Sequence, residues 1–576
     1  MVIFGPDGSV TGAGELRLKY DVRKLPARFR RFRVCWDQGT SMGAVSRYKS
    51  VDRNVPVNAA SSIPTALADA LARGRIKQGA SGEASELDPA ICWRAIHSRD
   101  RRFDGRFFAG VRTTRVYCRP ICPVPLRKPE NVRWFLSAAS AEAAGFRPCG
   151  RCRPHTSPGT PAWWGTSSVV SRALKLIFNG GLDSGDVERF AGHVGLGARH
   201  LRRLFVQHLG ASPVRVARTR RTHFARSLIE ETDLSITKIA FHSGFRSIRQ
   251  FNHAMRAAFD QSPSELRRTC ETPNTQGYQG GIILFVAYRP PFDWKALINF
   301  LRPRATPGVE VVETRCYRRT IEVDGEPGEI EIRPDNAEPR LRVEVKLASH
   351  EHLLQVIERV RRIFDIGADP LQIASHLSRY PRLKPLLETR PGLRVPGVWD
   401  GFEFAVRAIL DQQLTARDPV AVVTGLVRTF GMPVKSSVVG LNHLFPRPER
   451  LAEADLSVVG IRGGCARAIR ALARAVVERK LTFETSKNLE DTVSRVCAIR
   501  GIGERESHHI AMRAFGEPDA FPFYDLELRH AVSNKSLPVS PAELVRISDP
   551  WRPWRAYAAM HLWAAHSEAG SRHRRG

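Results

Sequence analysis

Two short cysteine pairs, Cys118-x3-Cys122 and Cys149-x2-Cys152, constrain this chain more than any other feature. So close a spacing lets two thiolates from one turn face one ion. Two such pairs, 26 residues apart, complete a tetrahedral four-sulfur site for one Zn2+. The intervening segment must fold back on itself to bring the pairs together. Ten cysteines in 576 residues are too few for a disulfide scaffold, so metal ligation is the expected use. Cys92 stands outside the pairs and is expected to be a small buried residue. Spacing alone leaves two roles open, an inert staple or a reactive thiolate centre.

The surroundings are strongly basic. Lys+Arg number 89 against 58 Asp+Glu, a formal net charge of +31, which calls for a polyanionic partner such as nucleic acid. With 42% hydrophobic residues the chain can bury real cores, and its length suggests several domains. No apolar run reaches the ~18 residues of a membrane span; the best, Gly281 to Tyr288, is strand length. No secretory leader is visible. The expected setting is the bacterial cytoplasm, associated with the nucleoid, with no membrane partner.

Residues 1–88 show no sustained period and read as a disordered extension. Order is expected from near Ile91, and residues 89–156 form a Cys-rich α+β unit. An all-helical unit follows at 165–268, then a polar linker, Thr269 to Gly280. Residues 281–390 form an α+β unit with an antiparallel sheet, its strands predicted at Val309–Cys316, Gly328–Ile332 and Leu341–Val345. Helices are predicted at Phe292–Leu301 and His350–Phe364. An all-α unit at 391–568 completes a multidomain chain.

Within the helical unit one pattern occurs twice, Ala191-x3-Gly195-Leu196 and Ala240-x3-Gly244-Phe245, 49 residues apart. Each places a Gly where a helix-turn-helix needs a left-handed turn residue. Leu201, Leu204 and Phe205 are expected to form the buried face of the helix after the first turn. Ile248, Phe251, Met255 and Phe259 are expected to do so after the second. Further on, Ile499-Arg-Gly-Ile-Gly503 reads as a tight turn between helices. Gly501 and Gly503 there would aim backbone N–H groups at a phosphate.

Three resemblances give these patterns a direction. FDGRFFAGVRTTRVYCRPICP (103–123) with GFRPCGRCRP (145–154) resembles the N-terminal zinc domain of the Ada DNA-repair proteins. That resemblance implies Zn2+ on Cys118, Cys122, Cys149 and Cys152, with Cys118 accepting a methyl group from a DNA methylphosphotriester. The transfer is stoichiometric, because a thioether has no easy way back. Arg112, Arg115, Arg119, Arg147, Arg151 and Arg153 would hold the DNA backbone.

AFHSGFRSIRQFNHAMRAAFDQSPSELRR (240–268) resembles the AraC-type DNA-binding domain. It implies that Arg199, His200 and Arg203, with Ser247, Arg249, Gln250 and His253, enter two adjacent major grooves. Arg202 and Arg256 would serve equally well as phosphate contacts. RNA polymerase would be a further partner at a promoter.

YRPPFDW (288–294), RVPGVWDGFEFAVRAILDQQLT (394–415), the Gly501–Gly503 hairpin, Tyr524-Asp525-Leu526 and WRPWRAYAAMHLW (551–563) together resemble the AlkA-type helix-hairpin-helix DNA glycosylases. By that resemblance Asp525 is the catalytic carboxylate, Trp563 a pocket aromatic and Gln413 the wedge that fills the gap left by a flipped base. Trp551 and Trp554 are expected to be structural. Gln413 is a departure, since the family's namesake carries Leu there. Arg505 replaces an expected Trp, Arg500 the hairpin's usual Pro, and His509 occupies a further pocket position. An arginine beside a cationic alkylated base is unfavourable. Neither can it act as the Schiff-base amine of strand-cleaving relatives, so a monofunctional glycosylase is expected. No Cys follows Cys497, so the iron–sulfur cluster of some cousins is not expected, and the PCHRV methyl-acceptor motif is also missing.

These features imply an alkylation-response protein, with zinc-thiolate methyl acceptor, promoter-binding module and 3-methyladenine-type glycosylase in one chain acting on damaged and promoter DNA. The alternative is a methylation-activated regulator whose glycosylase half only binds DNA.

Overall fold

The computed structural model describes residues 87–126, 128–158, 168–178, 180–182, 185–269, 281–348, 352–413, 419–483, 488–533 and 537–573. The extension predicted at 1–88 lies outside them except for Leu87 and Asp88. Helix Pro89–His97 starts slightly earlier than expected, because Asp88 caps it by accepting from the backbone N–H of Ala90 and Ile91. A four-stranded sheet in the order β3-β1-β2-β4 follows: β1 Phe108–Val111, β2 Val116–Cys118, β3 Val132–Phe135 and β4 Arg147–Pro148.

The next unit is all helix. Val187–His193 and Ala198–Leu209 form one helix-turn-helix, Ile236–His242 and Ile248–Phe259 the other. Gly195 and Gly244 turn with φ of 76° and 79°, a conformation that disfavours residues bearing a Cβ. Leu201, Phe205, Phe251 and Met255 are buried, with Leu204 and Phe259 partly so. Ile248 departs from expectation at 40% exposure, because it opens its helix and faces outward. The 19-residue helix Pro213–Glu231 joins the two halves.

Beyond it lies a five-stranded antiparallel sheet, β5-β9-β8-β7-β6. Its strands are β5 Ile282–Ala287, β6 Glu310–Glu313, β7 Cys316–Val323, β8 Glu326–Pro334 and β9 Arg340–Leu347. The strand predicted at Val309–Cys316 is instead a hairpin, with Glu313 facing Cys316 across a two-residue turn. The rest of β7 lay hidden before Asp324-Gly325, whose positive φ angles of 48° and 84° close the next hairpin. Helices Trp294–Leu301 and Leu353–Ile363 fall within the predicted spans.

The C-terminal helices include Gly401–Gln413, Gly463–Val477, Leu489–Cys497, Glu504–Arg513, Leu526–Ala531 and Arg555–His573. Among the described residues no helix is long and apolar enough to cross a membrane. The units share cores: Leu228, Ile229, Phe251 and Met255 of the helical unit join Leu284, Val343 and Ile357 in one apolar cluster. Phe251→Ala should therefore cost about 3–5 kcal/mol, seen as an earlier melting transition by circular dichroism.

Candidate metal centre and active site

Strand β2 ends on Cys118, and the turns after β2 and β4 carry the other three cysteines. All four sulfurs lie within 4.8 Å of one another, and all four residues are buried. That donor set fits one Zn2+ held at about 2.3 Å by each sulfur. The Arg119 backbone N–H lies 3.3 Å from the Cys152 sulfur, a bond that favours thiolate character. Cys92 is buried away from the four in an apolar cluster, as expected.

The arginines around the cluster divide into two groups. Arg112, Arg115 and Arg151 point outward. Arg119 does not, which corrects its expected place on the DNA face: it is 8% exposed and bonded to the Asp104 carboxylate, the Cys152 carbonyl and Thr156. Arg147 pairs with Asp260, and Arg153 with Glu230, both carboxylates of the helical unit. Tyr117, beside Cys118, donates to Glu142 at 2.9 Å, and Glu142 also receives Thr219 and His223 from Pro213–Glu231.

On the helix-turn-helix pair, Arg199, His200, Arg202 and Arg203 are exposed, as are Arg249, Gln250, His253 and Arg256. Ser247 instead caps its helix, accepting from the Gln250 N–H. The outward residues thus occupy the second helix of each helix-turn-helix.

In the C-terminal half Gly501 adopts φ 92° between Leu489–Cys497 and Glu504–Arg513, forming the predicted hairpin. Gly503 begins the second helix, its N–H bonded to Glu506. Asp525 caps Leu526–Ala531. Its Oδ1 accepts from the Leu528 N–H at 2.9 Å and from Trp563 Nε1 at 3.1 Å. No described residue donates to Oδ2. The carboxylate is therefore both a helix cap and a fixed group with one oxygen left over. Trp551 and Trp554 are buried in the core.

Around Asp525 the Trp563 ring lies 6.4 Å from Phe300 and 6.1 Å from His509, with His509 5.3 Å from Phe404. The structure thus brings together Asp525, Trp563 and His509, while Arg505 is exposed on the first turn of its helix. Gln413 ends Gly401–Gln413, and its side chain lies outside the described set. Phe300, Phe404, Arg304 and Arg513 were not anticipated. Phe404 sat unremarked inside the GFEFAV motif, and Phe300 comes from a helix of the sheet unit, so nothing local marked it.

Burial and the neighbouring Arg513, Arg304 and Arg505 charges push His509 down to about 3; burial also pushes His508 and His561 down to about 4. Each is neutral at pH 7. A histidine depressed in the fold takes up its proton first in the unfolded chain, so stability falls as pH drops from about 6.5 toward 4. His509→Gln should flatten that fall, measured as melting temperature against pH.

Residues 91–155 match the family described as the metal binding domain of Ada, 190–269 a helix-turn-helix domain and 283–400 the AlkA N-terminal domain. The Mycobacterium tuberculosis protein named "Probable bifunctional transcriptional activator/DNA repair enzyme AlkA" is 39% identical over 82% of this chain and 95% of its own length. Escherichia coli DNA-3-methyladenine glycosylase 2 is 29% identical over 48% of this chain and 95% of its own. The Escherichia coli bifunctional transcriptional activator/DNA repair enzyme Ada is 31% identical over 27% of this chain and 42% of its own. With its four-cysteine zinc site, paired helix-turn-helix units and glycosylase fold in one polypeptide, the chain belongs to the family of bifunctional transcriptional activator/DNA repair enzymes that the Mycobacterium tuberculosis protein represents.

Proposed function

We propose that this chain senses and repairs DNA alkylation through three linked activities. Residues 89–156 accept a methyl group from a methylphosphotriester, 165–268 bind promoter DNA, and 281–390 with 391–568 excise 3-methyladenine-type bases. The work takes place on double-stranded DNA in the cytoplasm, with RNA polymerase as the partner at a promoter.

Zn2+, when bound, keeps all four sulfurs as thiolates at neutral pH, leaving the set electron-rich with a net charge of about −2. Cys118 sulfur then attacks the methyl carbon in line; the S–C bond forms, the C–O bond breaks, and the phosphodiester leaves as an anion. The transfer is stoichiometric, and it removes a negative charge from a surface facing phosphates, so DNA affinity rises. Arg112, Arg115 and Arg151 are exposed and would hold the backbone.

The glycosylase reading rests on Asp525. Its carboxylate is locked through Oδ1 while Oδ2 takes no described bond. A fixed carboxylate of this kind can stabilise the oxocarbenium-like sugar and admit water. Trp563, Phe300 and Phe404 supply aromatic walls for a flipped base. Gly501 would bring the hairpin backbone to a phosphate, while the Gly503 N–H, expected to share that task, is taken by Glu506. Gln413 would fill the vacated stack, and Arg199, Arg203, Arg249 and Gln250 would read grooves. With no amine at position 505, cleavage stops at the glycosidic bond.

Asp525→Asn should lower release of 3-methyladenine from methylated duplex DNA by about a hundredfold or more, while DNA binding persists. No release by the wild-type protein overturns the assignment. Mass spectrometry after reaction with methylphosphotriester DNA should show about +14 Da, one methyl, on Cys118 alone; a methyl on another ligand refutes that role.

A further inference from the structure

Three guanidinium groups lie close to the rings grouped around Asp525. Arg304 lies 4.0 Å from the centre of the Phe300 ring. Arg513 lies between Phe300 and Phe404, at 5.2 and 4.7 Å from their centres. It is buried and donates to the carbonyls of Pro396 and Gly397 rather than to a carboxylate. Burial lowers it to about 9, so it stays cationic at neutral pH. Arg505 precedes His509 by four residues on one helix, hence on the same face, and its charge is among those acting on His509.

An aromatic face attracts a cation through its quadrupole. On Phe300 and Phe404 that attraction is already engaged by arginines, and a second cation entering the pocket meets their repulsion. A ring-alkylated purine is such a cation, and it leaves as a neutral molecule. A deaminated purine behaves oppositely: it enters neutral and leaves with the electron pair of the glycosidic bond. The negative charge that builds on it is stabilised by a nearby guanidinium. The same arginines therefore hinder the first kind of lesion and assist the second.

We propose that this pocket prefers neutral damaged purines, of the hypoxanthine kind, over cationic alkylated ones, with Arg505 as a specificity-determining residue. The preference rests on the glycosylase reading above and refines its substrate. In the reaction water adds across the C1′–N bond. C1′ takes the hydroxyl, and the departing base takes the bond's electron pair and the proton.

The test uses the full chain and duplexes carrying one hypoxanthine or one 7-methylguanine. Base release is measured first, then binding to the non-hydrolysable 2′-fluoro forms of both. Arg505→Leu, at an exposed position, should lower the hypoxanthine to 7-methylguanine ratio of kcat/KM by about tenfold. Arg304→Leu should move it the same way. Wild-type protein should bind the neutral 2′-fluoro duplex more tightly. Unchanged ratios in both variants, or equal or reversed binding by the wild type, overturn the preference. If wild type releases neither base yet keeps the binding preference, the glycosylase reading fails while the pocket's selectivity stands.

Discussion

Everything built around the cysteine cluster depends on one buried contact, between Arg119 and Asp104. Both are nearly inaccessible, and the guanidinium also reaches the Cys152 carbonyl and Thr156. It thereby ties the strand end bearing Cys118 to the turn bearing Cys152. Asp104 extends the linkage, since its carbonyl receives Arg289 Nε, a fully buried donor from the C-terminal half, at 3.1 Å. Removing one partner of such a pair strands a desolvated charge, a cost of about 3–5 kcal/mol.

Further contacts make the units one assembly rather than beads on a string. Arg106 pairs with Asp369 at 3.1 Å, nearly without solvent, and Arg172 with Glu517 at 3.2 Å. A cavity of about 660 Å3 opens where the units meet, backing onto Cys152 and reaching Tyr557. Asp525 is not among its lining residues. Part of the charge excess of +31 is withheld from DNA, because buried arginines such as Arg289, Arg394 and Arg513 donate to backbone carbonyls.

The cysteine spacing, the repeated Ala-x3-Gly signal and the Gly501 turn were all legible, because each is a local device with fixed offsets. Strand boundaries were less so: the 309–316 run masked a turn that needs no glycine. Arg119 was misread because a basic residue beside a cysteine looks solvent-facing until Asp104, 15 positions earlier, is brought against it by the fold. The walls of the Asp525 pocket escaped for the same reason. Phe300, Phe404 and Trp563 come from three distant helices, and no periodicity links them. Asp525, expected as the catalytic carboxylate, is also a helix cap, and that role engages only its Oδ1.

Helix Pro213–Glu231 has a final consequence. Its 19 residues extend about 28 Å. Along that length Thr219 and His223 meet Glu142, Arg220 approaches Glu358, Glu230 receives Arg153, and Glu231 accepts from the Phe285 N–H. It is a strut shared by the zinc, helical and sheet units. Most single-residue changes on its surface would then be felt in several units together, so drift in one unit is checked by its neighbours. Such a chain evolves as a whole, and its parts are poor candidates for exchange with those of unfused relatives.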